Sequence, residues 1–267
     1  MTGLLGSLSV GARDIALVAD DRAQCTKRQL TVALHGNPQW QNAELSTVAL
    51  HQGHAQALLE AYHRHGLDAL QYLHGGFALA VQDAGKGDAV LLACDRHGIV
   101  PMFHAASGGA LAFGTRADQV AAQPGVDAAL HPQALYDYLY FHVVPGPETI
   151  YAGVRRLQPG ECLHWQSGKS RVEPYWVMEY QEAGLEGSSD EWRQQFLDLV
   201  GTAVQRRTSG GLKVGAFLSG GTDSSTVSGM LSQLRDEPAR TYSIGFDEPG
   251  YDEMEYARLV ARHFNTD

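Results

Sequence analysis

The hydrophobic period of this chain changes near residue 180, and one layer architecture cannot serve both sides of the change. From Gly3 to about Trp176, short apolar or alternating runs ("DIALVAD", "QLTVALHG", "FALAVQD", "AVLLACD", "ALAFGTR") are separated by turn-rich pieces such as "DAGKGD" and "ASGGA". Two helices interrupt these strands. "STVALHQGHAQALLEAYHRHG" places Val48, Ala55, Leu58, Leu59 and Tyr62 near one face and stops at Gly66, and "HPQALYDYLYF" ends before the "VPGP" breaker. The tyrosines of this second helix are expected in the core. Together these elements predict an α+β domain. After the polar, aperiodic "EYQEAGLEGSSD", Ser188 and Glu191 have the spacing of a capping box, and Trp192, Phe196, Leu199, Val200, Ala203 and Val204 recur at helical spacing. A strand "LKVGAFLS", a glycine loop, a helix "SSTVSGMLSQLRD", a strand "TYSIGF" and a helix "YDEMEYARLVARHF" follow. That is the βαβα order of a parallel sheet, so the expected domains are 1–178 and 188–267. Two parallel strands cannot by themselves be covered on both faces, which predicts that the second domain continues past Asp267.

Charge and cysteine usage exclude several functions. The net charge of −10 over 267 residues, with no basic cluster, argues against a nucleic-acid partner. No apolar run reaches the length of a membrane span, and the N-terminus has no basic segment leading into an apolar one. Cys25, Cys94 and Cys162 are odd in number and contain no CxxC pair, as suits a reducing compartment. A cytoplasmic protein with no membrane partner is therefore expected.

The chemistry concentrates in "FLSGGTDSST", Phe217 to Thr226, which leaves a strand and enters a helix. The N–H groups at a helix start face outward at the positive end of its dipole, where phosphate binds well. Gly220 and Gly221 permit close backbone approach, and Ser219, Thr222, Ser224 and Ser225 add hydroxyl donors. Asp223 would repel bare phosphate yet suits a Mg²⁺ ion bridging phosphate oxygens. No lysine follows the glycines, so this is not the loop of P-loop NTPases.

"SGGTDSS" resembles the pyrophosphate loop of the N-type ATP pyrophosphatases, and "GAFLSGGTDSSTVSGML" with "YSIGFDEPGYDEMEYARLVARHF" resembles the synthetase domain of the asparagine synthetase family. The resemblance implies that Ser219, Gly220, Gly221, Thr222, Asp223, Ser224 and Ser225 hold the pyrophosphate of ATP, with Mg²⁺ at Asp223. Leu218 would lie beside the nucleotide, and Ile244 with Gly245 would border the adenine. In that family a carboxylate attacks the α-phosphorus and the resulting acyl-adenylate is converted by an amine to an amide. The implied partners are a small carboxylate, aspartate by default, and ammonia or an amine, with a homodimer left open. "LHGGFALAVQD", "ACDRHGIVPMFHA" and "FHVVPGPETIYAGVRRLQPGECL" resemble the same family's glutamine amidotransferase domain. They imply an N-terminal-nucleophile αββα sandwich followed by part of a PP-loop α/β domain.

The glutaminase motifs of that family are altered here. Its MCGI start is replaced by Thr2, its RHRGPD segment has no counterpart between Gly11 and Leu30, and its NGE becomes His35-Gly36-Asn37. Its aspartate for the glutamine amine falls at His54. A threonine freed of Met1 has its own amine as base and can be a nucleophile. Without carboxylate and amine anchors, however, the amide is not placed for attack, so Thr2 is read as the start of a strand and the domain as lacking glutaminase activity. The fragment alone is expected to be inactive. Members without the cysteine include β-lactam and lasso-peptide macrolactam synthetases, whose nucleophile is an internal amine, and these are the main alternative. A non-catalytic ATP-binding or scaffold protein is the alternative of another class. His51 and His54, at i and i+3, have no evident third partner for a metal, and His63 and His65 suit the C-terminal end of a helix.

Overall fold

The structure is a computed structural model that describes residues 3–9, 16–18, 24–27, 29–87, 89–180, 187–208, 213–235, 237–248 and 252–267, the side chains of 8–9 and 16–18 excepted. Thr2 lies outside the described residues. Two compact units divide the chain, Met1–Glu179 and Tyr180–Asp267.

The first unit runs β1 (Leu5–Ser9), β2 (Ala16–Val18), β3 (Gln24–Lys27), β4 (Leu30–Trp40), α1 (Ala43–Gln52), α2 (His54–His65), a 3-10 turn (Gly66–Tyr72), β5 (Leu73–Asp83), β6 (Ala89–Cys94), β7 (Phe103–Ser107), β8 (Ala110–Gly114), α3 (Ala117–Ala121), α4 (Pro132–Phe141), β9 (Arg155–Arg156), β10 (Glu161–Gln166) and β11 (Lys169–Pro174). The strands form a five-stranded sheet, β2-β1-β8-β7-β9, and a six-stranded sheet, β11-β10-β6-β5-β4-β3. Alternation along the strands sorts residues into layers. Ala33, Ala78, Ala80, Leu92 and Trp165 from the larger sheet share one buried core with Leu4, Met102, Leu111 and Phe113 beside and within the smaller. The intervening residues Val32, Leu34, Leu79 and Val81 pack instead with Leu58 and Leu59 of α2. On the outer face of the smaller sheet, Ala105 and Ala112 pack with Val120 and Ala121 of α3. The layers are thus helix, sheet, sheet, helix: the αββα sandwich of N-terminal-nucleophile domains.

The turn after β6 is held by Asp95, which is fully buried. Its carboxylate accepts N–H groups from Phe77 (3.2 Å), His97 (2.9 Å), Ile99 (3.0 Å) and Val100 (2.9 Å). Four donors satisfy a charge that would otherwise be costly in the core.

Two sequence expectations change here. The helix predicted from Ser46 to Gly66 is two helices. Gly53, at φ 94° and ψ 159°, donates its N–H to Ala49 to close α1, and its carbonyl accepts from Ala57 to open α2. Such a φ is available to glycine at no steric cost, so the chain can turn there without losing caps. The tyrosines of α4 are exposed, Tyr136, Tyr138 and Tyr140 alike, and among the α4 side chains only Ala134 is buried. A spacing of two residues spreads them around more than one helical face, so they cannot share a core. Tyr136 and Tyr140, one turn apart, stack on each other at 6.5 Å between ring centroids.

The second unit contains α5 (Ser189–Thr208), β12 (Gly215–Phe217), α6 (Thr222–Gln233), β13 (Arg240–Tyr242) and α7 (Met254–Phe264). The capping box forms: the Ser188 N–H donates to Glu191 Oε2 at 2.7 Å, and the Glu191 N–H to Ser188 Oγ at 3.3 Å. Trp192, Val200 and Val204 are half-buried, whereas Phe196, Leu199 and Ala203, expected on the same apolar face, are exposed. β12 and β13 pair in parallel, with Gly215, Ala216 and Phe217 opposite Arg240, Thr241 and Tyr242. After α7, Asp267 donates to the Ala239 carbonyl and accepts from the Thr241 N–H, which is parallel pairing on the far side of β13.

Candidate functional site

The glycine loop joins β12 to α6, and its backbone is set by close packing against α7. Gly220 has φ +87°, and a Cβ there would lie 2.4 Å from Tyr256 Cβ and 2.8 Å from the Ala257 N. Only glycine satisfies both conditions. Gly221 is the N-cap of α6 and no side chain caps the helix. The first bond of the α6 ladder is Ser225 N–H to the Gly221 carbonyl at 3.0 Å, so the N–H groups of Thr222, Asp223 and Ser224 precede it, without helical acceptors.

The loop hydroxyls differ in what they can offer. Ser219 Oγ and Ser224 Oγ are 3.0 Å apart, the Ser219 N–H donates to Ser224 Oγ at 3.2 Å, and the Gly221 N–H to Ser219 Oγ at 3.3 Å. These bonds hold the turn in shape, and an anion would recruit those two hydroxyls by exchanging them. The Ser225 hydroxyl, expected as a donor to a ligand, is buried with no partner. Asp223 is exposed in the first turn of α6.

Beside the loop lies a slot of about 280 Å³ whose lining includes Leu218, Ser219, Ile244, Phe246 and Met254. Leu218 is fixed there from both sides, its N–H donating to the Tyr242 carbonyl at 2.9 Å and its carbonyl accepting the Ser243 hydroxyl at 2.6 Å. The structure therefore brings Leu218, Ser219 and Ile244 together at one apolar slot. Gly245 is adjacent to the lining, where a Cβ would meet Met254 Cγ at 3.0 Å. Tyr256, Ser243, Phe246 and Met254 were not singled out from sequence; being outside the glycine loop, they carry no local motif. The residues present suit a nucleotide: uncapped N–H groups for phosphate, a backbone cradle that a side chain would fill, and an apolar slot for a base.

The residues that the resemblance sets against the family's glutamine motifs, His35 to Asn37 and His54, lie in the first unit. His35, Gly36 and Asn37 are in β4, opposite Ala78, Phe77 and Gly76 of β5. His35 is half-buried, while Gly36 and Asn37 are exposed. His54 begins α2, and its Nδ1 accepts the Trp40 indole N–H at 3.2 Å. Burial lowers its pKa, which favours the neutral ring that this bond requires. A histidine already accepting through Nδ1 is a staple between β4 and α2 and lacks the anionic charge that would grip an ammonium group. His51 closes α1 on the other side of the Gly53 break, so the i, i+3 pairing of His51 with His54 on one helix does not occur. His63 and His65 lie in the last turn of α2, as expected.

The layered sandwich followed by a parallel βαβα unit with a bare glycine loop defines a two-part protein, an amidotransferase-type domain joined to a parallel α/β domain that carries a glycine loop at a helix start. Residues 42–176 match the family model of the glutamine amidotransferase domain, and residues 195–267 match that of asparagine synthase. The chain belongs to the asparagine synthetase family. It is 29% identical over 223 residues to a provisionally named glutamine-hydrolysing asparagine synthetase of Mycobacterium tuberculosis, covering 79% of this chain and 34% of that protein. With the glutamine-hydrolysing asparagine synthetase 1 of Bacillus subtilis the identity is 27% over 209 residues, covering 77% and 32%. The chain thus spans about a third of the length of these relatives. A solved glutamine phosphoribosylpyrophosphate amidotransferase from B. subtilis shares 13% identity at a TM-score of 0.36, over 91% of this chain and 70% of that one. Among the described residues, no helix is long and apolar enough to cross a membrane.

Proposed function

We propose that this chain is the nucleotide-loop-bearing part of an ATP-dependent, AMP-forming amide ligase that takes nitrogen from ammonia or an amine and not from glutamine. The observation that carries the reading is the start of α6, where Gly220 lies against α7 and the N–H groups of Thr222, Asp223 and Ser224 lack helical acceptors. Those three groups would hold the pyrophosphate of ATP, Leu218 and Ile244 would flank the base, and Asp223 would ligate Mg²⁺. Bound with Mg²⁺, ATP supplies the leaving group that makes a carboxylate, aspartate by default, reactive toward an amine. The protein's part is positional: backbone dipoles placed before the ligand arrives need no reorganisation when charge builds on the phosphate. The names of the relatives support asparagine as the default product. The His54 staple supports an internal-amine nucleophile, as in the lactam-forming members, as the second reading, since that chemistry needs no glutamine anchor.

Calorimetric titration of the chain with ATP and Mg²⁺ tests the nucleotide site. Wild type should bind. Asp223→Ala should bind at least about tenfold more weakly with Mg²⁺ and match wild type in EDTA, and Gly220→Ala should bind weakly in both. Wild type that takes up no nucleotide, or Asp223→Ala that retains full Mg²⁺-dependent affinity, would overturn the assignment.

A further inference from the structure

On the outer side of the larger sheet, three metal-ligating side chains meet on the β10–β11 hairpin. Cys162 and His164 are two residues apart on β10, hence on one face, and Glu173 of β11 is directly opposite Cys162. One ligand atom from each of the three lies within 4.8 Å of the others. Cys162 Sγ is 3.6 Å from His164 Nε2, and His164 Nε2 is 3.0 Å from Glu173 Oε1. A tetrahedral zinc ion with bonds of about 2.3 Å to sulfur and about 2.0–2.1 Å to nitrogen and oxygen separates sulfur from nitrogen by about 3.6 Å and nitrogen from oxygen by about 3.3 Å. The hairpin presents these edges without backbone movement, apart from a few tenths of an ångström between His164 and Glu173. The other oxygen of Glu173, Oε2, is bonded by Arg171, which orients the carboxylate with Oε1 toward the pair, as outer partners do for metal-ligating carboxylates.

We propose that Cys162, His164 and Glu173 form a binding site for a borderline-soft divalent cation of the zinc type, with water in the fourth position. Sulfur, imidazole and a single carboxylate oxygen select zinc over Mg²⁺ or Ca²⁺, which prefer all-oxygen shells. As the metal–sulfur bond forms, the thiol proton passes to solvent, while the imidazole binds through its neutral nitrogen and the carboxylate as an anion. Cys162 is buried, but the side chains of His164 and Glu173 are 40% and 29% exposed, so the ion enters from the solvent side. The site is separate from the nucleotide loop: it lies in the first unit, where it would clamp the hairpin that closes the sheet.

Cobalt(II) titration of the chain tests this. Wild type should take up one equivalent, with a thiolate-to-cobalt charge-transfer band and the intense visible bands of a four-coordinate ion. Cys162→Ser should lose the charge-transfer band, Glu173→Gln and His164→Gln should weaken binding at least about tenfold, and Cys25→Ser should match wild type. Should Cys162→Ser fail to fold, the partly exposed Glu173 and His164 variants decide. No charge-transfer band in wild type, a band lost in Cys25→Ser, or wild-type affinity in Glu173→Gln would overturn the proposal.

Discussion

Single residues fix the chemistry of each unit. At Gly220 the sequence already implied a constrained backbone, because a glycine pair between a strand and a helix has few other uses. That Tyr256 is what presses on it comes from α7, more than thirty residues later, and nothing local to the loop announces it. Asp95 is a similar case. Its place in a motif-like turn was visible, but its four backbone donors come from the residues that follow it, His97, Ile99 and Val100, and from Phe77 of β5. Asp95→Ala leaves the buried Phe77 N–H, and the partly buried N–H groups of His97, Ile99 and Val100, without their acceptor, so the denaturant midpoint should fall by the equivalent of at least about 2 kcal/mol; a loss below about 1 kcal/mol would show that the turn has other support. His104 is 8% exposed, its Nδ1 has no partner, and burial, assisted by Arg155, lowers its pKa from 6.5 to about 4. The unfolded chain therefore binds this proton near pH 6.5 and the native one only near 4, so stability present above pH 6.5 is lost as pH falls, by up to about 2 kcal/mol between pH 7 and 5. His104→Leu should show a correspondingly smaller drop over that range in urea unfolding. Equal pH dependence in the two proteins would mean that His104 titrates normally.

Elements were readable where one rule governed them. The Ser188–Glu191 box and the strand–loop–helix start of the second unit follow from local chemistry and appear as expected. Where two rules competed, the sequence reading failed. In α1 and α2 the apolar spacing runs through Gly53, and periodicity concealed a break that the glycine's φ of 94° makes. β3, β7, β10 and β11 were absorbed into turn-rich or motif segments, since short antiparallel strands take their pairing from distant partners. Cys162, His164 and Glu173 could not be grouped without the β10–β11 register, because the hairpin alone brings Glu173 opposite Cys162. For α4, aromatic content suggested burial while spacing forbade it. Leu139 is 69% exposed and Leu58 fully buried, so Leu139→Lys should change stability by no more than about 0.5 kcal/mol, and Leu58→Ala should cost about 2–5 kcal/mol. Thermal unfolding of the two variants compares them directly. A Leu139→Lys loss as large as that of Leu58→Ala would show that the α4 face is covered in solution.

At the scale of the whole molecule, the two units stand differently toward their family. The second has a loop that suits nucleotide phosphate, and the first has the αββα sandwich, while the positions that the sequence resemblance implies for gripping glutamine hold other residues. On that resemblance Thr2 would stand where the family has its cysteine and Asn37 where it has the acidic residue of the motif, and His54 is engaged by Trp40. A hydroxyl beside a free amine can still attack an amide, but orientation contributes roughly 7 to 11 kcal/mol to such reactions, and that contribution vanishes when the substrate is not held. The most direct measurement is release of glutamate from glutamine by the wild-type chain and by Thr2→Ala, each with its initiator methionine status determined by mass spectrometry. No release above background is expected from either protein; steady release by the wild type that Thr2→Ala abolishes would contradict the absence of a glutaminase and make Thr2 a working nucleophile.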